Sequence, residues 1–106
     1  MRFISAQLEA YLAEGRWLAQ ARAANALAAQ MGEQLATIPG VELAEPVEAN
    51  EVFAFLPDAL VKRLRQAGAN FYDWSEPRDG RTLVRLVLSF LTPEEDVQRF
   101  IQVARR

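Results

Sequence analysis

The residue types that usually do chemistry are scarce in this 106-residue chain. It has no histidine and no cysteine, and Lys62 is its single lysine. That removes the commonest general base, the commonest metal ligands and nearly every activated nucleophile. No spacing of Asp and Glu reads as a metal loop. The five glycines are scattered singly rather than gathered into a phosphate cradle. A complete active site is therefore not expected within these residues. What stands out instead is Arg85, the lone charge in the nine-residue strand-forming run 82–90, TLVRLVLSF.

Strand side chains alternate between two faces. In this run Val84, Leu86, Leu88 and Phe90 share one apolar face, suited to packing against helices. Leu83, Arg85, Val87 and Ser89 share the other. A charge buried there is costly unless something anionic meets it. Two readings stay open. Arg85 is partly exposed or paired with one of the chain's own carboxylates, of which there are fourteen. Alternatively, it receives an anion from outside the chain.

The surrounding composition is ordinary for a globular protein: half hydrophobic, a quarter charged, with a net charge of −2. The length suits one domain, residues 1–106. A slightly acidic chain is a poor partner for nucleic acid, which calls for a clustered basic surplus. The one dense basic run, Lys62, Arg63 and Arg65, reads as a solvated helix face. No apolar run is long enough to span a membrane, so no membrane partner is expected. The first residues, MRFISAQLEAYLAEG, have a helical period and an early acidic residue, unlike a secretory signal. The expected location is the cytoplasm.

The elements that must hold Arg85 in place follow from periodicity and punctuation. Residues 2–38 read as one long helix, or as two joined near Gly15, ended by Pro39-Gly40. Its second half puts Leu18, Ala21, Ala24, Ala28, Met31, Leu35 and Ile38 on one stripe. Strands are expected at 41–43, 51–56, 70–74 and 82–90. Pro57-Asp58 should break the chain and cap a helix that ends at Gly68. Asp79-Gly80 is a tight-turn pair. Thr92-Pro93-Glu94-Glu95 has the parts of a capping box before a helix burying Val97, Phe100, Ile101 and Ala104, with Arg105 and Arg106 at its negative end. The fold class is α+β: a long N-terminal helix (1–38), then a ββαββα body (39–106) with a mainly antiparallel sheet and helices on one face. Phe3, Ile4, Leu8, Tyr11, Leu12 and Trp17 exceed what this small sheet can cover. An interface through residues 1–17, in a homo-oligomer, is expected.

Seven stretches in order, RFISAQLEAYL, WLAQARAANALA, IPGVEL, PVEANEVFAFLP, AGANFYDW, VRLVLSF and TPEEDVQRFI, cover essentially the whole chain. They resemble the C-terminal small domain of low-specificity L-threonine aldolases and related β-eliminating lyases, pyridoxal-phosphate (PLP) enzymes of the aspartate-aminotransferase fold. The resemblance implies a missing N-terminal large domain carrying the cofactor lysine, the aspartate facing the pyridine nitrogen, the stacking histidine and the phosphate-binding loop. It also implies that the small domain supplies an arginine gripping the substrate α-carboxylate, and Arg85 matches that position. Asn50, with Glu48, resembles the loop near the active-site mouth; a substrate contact by Asn50 and a turn-capping role are the alternatives. Where the family commonly carries a histidine on the first helix, this chain has Ala23 and Ala24.

By that resemblance, the whole enzyme would cleave β-hydroxy-α-amino acids to glycine and an aldehyde with PLP as cofactor. The isolated chain, without the cofactor lysine, should bind no cofactor and be inactive. The competing expectation is a stand-alone interaction or dimerisation module without catalysis.

Overall fold

The structure, a computed structural model, describes residues 14–106, with side chains from residue 18. The elements are α1 (Glu14–Leu35), β1 (Glu42–Leu43), β2 (Glu51–Pro57), α2 (Asp58–Gln66), β3 (Tyr72–Asp73), β4 (Arg81–Val87) and α3 (Glu94–Ala104). This is the expected helix followed by ββαββα. Among the described residues the four strands form one antiparallel sheet in the order β1-β2-β4-β3. The expected interface through residues 1–17 falls outside the described residues and side chains.

The sheet is built around the β2–β4 pair, in register from Glu51↔Val87 to Pro57↔Arg81. Both strands alternate strictly. Val52, Ala54 and Leu56 of β2 and Thr82, Val84 and Leu86 of β4 are buried. Each inward pair sits opposite its partner: Val52↔Leu86, Ala54↔Val84, Leu56↔Thr82. The helices cover this face with Ala28, Met31 and Leu35 from α1, Leu60 and Leu64 from α2, and Val97 and Ile101 from α3. Full burial of one such large side chain contributes about 1.5–3 kcal/mol, so this face supplies most of the driving force for folding. The single polar intruder, Thr82, is satisfied by donating its hydroxyl to Asp58 Oδ1 at 2.9 Å.

Gly15 is helical in the first described turn of α1, and the segment that a joint there would connect falls outside the described residues. It ends at Leu35, before Pro39-Gly40, and Ile38 is buried from the turn that follows. Of the expected stripe, Ala24, Ala28, Met31 and Leu35 are buried, whereas Leu18 is 44% exposed. At Gly32 the loop before β2 comes very close: a Cβ there would lie 2.7 Å from Val47 Cγ2. α2 closes with two Schellman-type bonds, Gly68 N–H to Arg65 O and Ala69 N–H to Leu64 O, both 3.0 Å.

Several expectations at element ends are corrected. Asp58 is not an N-cap; Pro57 holds that position, and Asp58 is the first helical residue. Its carboxylate is taken by Thr82 and its N–H donates to Gly80 O at 2.8 Å. Thr92 does not close a capping box, because Pro93 precedes α3 with no side-chain cap. Thr92 Oγ1 instead accepts the Ser89 N–H at 2.9 Å, and Thr92 N–H returns a bond to Ser89 O. That turn ends β4 at Val87 and swings Phe90 outward, 49% exposed rather than in the core. β3 has two residues instead of five, because Trp74 N–H and Ser75 N–H converge on Leu83 O, the signature of a β-bulge. Pairing resumes at Arg78↔Arg81 around the Asp79-Gly80 turn, where both central residues have positive φ.

The expected solvated basic run is only partly so. Lys62 is exposed, but Arg63 donates Nε to Val103 O and Nη2 to Ala104 O, each at 3.1 Å. It thereby satisfies the carbonyl end of α3, the place assigned from sequence to Arg105 and Arg106. Arg65 pairs with Asp73 at 2.7 Å and lies over the Phe71 ring.

The inward face of β2 generates a stability prediction. Leu56→Ala, at a fully buried position, should lower unfolding free energy by about 2–5 kcal/mol in a urea melt. Leu91→Ala, at a 75% exposed position, should stay within about 0.5 kcal/mol of the parent.

Candidate functional site

The sheet face away from the helices is formed by the outward members of the same alternation. Phe53↔Arg85 and Tyr72↔Arg85 are register pairs, so Arg85 sits between β2 and β3 at the middle of this face. The helical side supplies the reason that it points outward: Val84 and Leu86 are drawn inward, and the residue between them has no choice.

Arg85 is held by one carboxylate. Glu51 Oε1 accepts its Nε–H at 3.1 Å and also pairs with Nη2. Glu51 lies diagonally across the ladder, since its own register partner is Val87. The two side chains are 30% and 31% exposed. The guanidinium carbon lies 5.4 Å from the Trp74 ring centroid and 5.8 Å from that of Tyr72. Trp74 in turn meets Phe53 edge to face at 5.4 Å between centroids. Among the described residues, Nη1 makes no hydrogen bond within the criteria of a normal contact.

Of the two sequence readings of Arg85, the intrachain carboxylate is present, and Nη1 is left without a hydrogen bond among the described residues. The two readings are compatible on geometry. Two other arginines repeat the pattern. Arg81 pairs with Glu42 at 3.2 Å over the Phe55 ring, and Arg65 pairs with Asp73 over Phe71. Arg85 is the least exposed of the three.

Asn50 immediately precedes Glu51 and brackets the far end of β4. Its Nδ2 donates to Leu88 O at 2.7 Å, while its own carbonyl accepts Leu88 N–H at 2.9 Å. One N–H of its amide is thus taken by the backbone, and these two bonds fix the strand end beside Glu51. Glu48 is exposed in the loop before it. Ala24 is buried in α1 and Ala23 is exposed. Sequence reasoning missed Glu51 and the flanking rings of Tyr72 and Trp74. Their only signal was membership of strands on the same face, which needs the register to be known.

A cleft of about 370 Å³ opens on the helical side, among Leu64, Ala67, Leu88, Val97, Phe100 and Val103. Arg85 is not part of its wall. Among the described residues no group of acidic side chains could hold a metal ion, and no helix is long and apolar enough to cross a membrane.

No family model matches the chain. Two curated relatives do. One, from Pseudomonas sp., is called low specificity L-threonine aldolase and is 44% identical over 72 residues, 68% of this chain. The other, of the same description and from Pseudomonas aeruginosa, is 36% identical over 105 residues, 99% of this chain. The chain spans 21% and 28% of their respective lengths. A solved structure of Leishmania major threonine aldolase superposes with a TM-score of 0.71 at 29% identity, covering 78% of this chain and 24% of that one. In sequence over nearly its whole length and in fold over most of it, this chain resembles a segment of the low-specificity L-threonine aldolases.

Proposed function

We propose that this chain is the C-terminal small domain of a PLP-dependent threonine aldolase-type lyase. The complete enzyme cleaves β-hydroxy-α-amino acids to glycine and an aldehyde, and Arg85 binds the α-carboxylate of the substrate. The observation that carries this reading is the state of Arg85: central on the sheet face away from α1, α2 and α3, flanked by Tyr72 and Trp74, with Nη1 unpartnered among the described residues. A planar fork held in one orientation suits a carboxylate, which can accept two parallel N–H bonds. Fixing that carboxylate orients the bonds at the adjacent α-carbon before any chemistry begins.

The described residues do not fit PLP itself. The only lysine, Lys62, is exposed on α2. The cofactor site therefore belongs to a large domain that this segment does not include. Docking of that domain on the Arg85 face, self-association through residues 1–17 and a cytoplasmic location complete the proposal. A non-catalytic interaction module is the second reading. It is favoured by the exposure of Tyr72, Trp74 and Val87, at 63%, 56% and 47%, on the same face.

Two measurements test the proposal. Mixed with PLP, the chain should show no Schiff-base absorbance; a stable band that vanishes in Lys62→Ala would overturn the assignment of the cofactor elsewhere. In the full-length polypeptide, Arg85→Lys should lower kcat/KM by an amount equivalent to roughly 2–4 kcal/mol, because Lys keeps the charge without the fork. Thermal stability should change little. A loss below about threefold would make Arg85 structural and leave the interaction module as the better reading.

A further inference from the structure

We infer that Glu51 is a positioning residue for Arg85: it grips the side edge of the guanidinium so that the end-on edge stays free for an incoming carboxylate. This rests on the reading of Arg85 as a carboxylate ligand and deepens it.

A guanidinium carries five N–H donors in a rigid fork. Nε–H and one Nη2–H are directed to a single oxygen, Glu51 Oε1. The donors that remain are both hydrogens of Nη1 and the outer hydrogen of Nη2. One hydrogen of Nη1 and that of Nη2 form the end-on edge, whose spacing matches the two oxygens of a second carboxylate. Had Glu51 taken the Nη1/Nη2 edge, only the side edge would be left. The grip is thus on the side that leaves the end-on edge available.

The rings alone would not achieve this. Tyr72 and Trp74 attract the cation from 5.8 and 5.4 Å. That attraction is to the positive charge and singles out no pair of N–H donors. The carboxylate does, by accepting from Nε and Nη2. Glu51 is itself well founded, at the start of β2, one residue after the Asn50–Leu88 double contact that pins the strand end. The opposing physical effect is that a fixed carboxylate repels a second one. The proposal therefore separates the hydrogen-bond grip of Glu51, which helps, from its charge, which does not.

That separation defines the experiment. The chain is labelled with ¹⁵N-arginine and the guanidinium signals are followed on titration with sodium acetate, against sodium chloride at equal ionic strength. Arg85→Gln identifies the Arg85 signals by their loss. In the parent, the Arg85 signals should move saturably with acetate and stay still with chloride. Glu51→Gln keeps the accepting oxygen and drops the charge; its acetate affinity should lie within about twofold of the parent or be tighter. Glu51→Ala removes the grip and should weaken acetate by about fivefold or more. Glu51→Thr, which favours strand but cannot reach the guanidinium, repeats that test should the Ala variant fail to fold.

Tighter binding in the Ala and Thr variants would make Glu51 a competitor and overturn the inference. So would no change in any variant, or a loss in Glu51→Gln as large as in Glu51→Ala. Each of these leaves the ligand role of Arg85 standing. An unresponsive parent would instead remove that role, and the inference with it.

Discussion

The register of β2 against β4 is the constraint on which the rest of the molecule depends. Seven consecutive pairs fix which residues face the helices and which face away. A slip by one residue would turn Val84 and Leu86 outward and drive Arg85 into the core. The cost of burying an unpaired guanidinium far exceeds that of exposing one aliphatic residue. The hydrophobic face and the charged face thus specify the same register from opposite sides. The helices, which pack on the inner face, take their positions from that choice.

Around the sheet, charges are managed in a repeated way. Arg81 and Arg85 on the outer face, and Arg65 on α2, each meet a carboxylate and lie over an aromatic ring. Ion pairs with this much solvent around them contribute about 0–1 kcal/mol, so their role is in direction more than in stability. They hold long side chains in defined places at the surface. Arg85 is the best enclosed of the three because it has a strand on either side, whereas Arg81 lies at the end of its own strand, next to the hairpin turn.

Much of this fold was legible because its signals are local. The alternation of EVFAFL and TLVRLVLSF gave both central strands and, for the second, the inward Val84, Leu86 and Leu88. Gly68 marked the end of α2, and Asp79-Gly80 the hairpin turn. What could not be read depends on partners distant in sequence. Asp58 and Thr92 have the chemistry of N-caps, but Thr82 claims the first and Ser89 the second. Arg63 looked like a surface charge, and its carbonyl partners lie forty residues away on α3. The carboxylate facing Arg85 was one of fourteen until the register singled out Glu51. Phe90 followed the alternation on paper, and the Ser89–Thr92 turn ended the strand before reaching it. The site's charged centre was visible in the sequence; its surroundings were not.

The absence of a side chain at Gly32 has a mechanical consequence. Val47 rests almost directly on the backbone of α1, with space for no intervening atom. Val47 belongs to the loop that leads into β2. Both halves of the ion pair ride on the β2–β4 ladder, Glu51 opposite Val87 and Arg85 opposite Phe53. The close approach at Gly32 is therefore an abutment for the loop, which seats it on α1 just ahead of the strand that carries the acid.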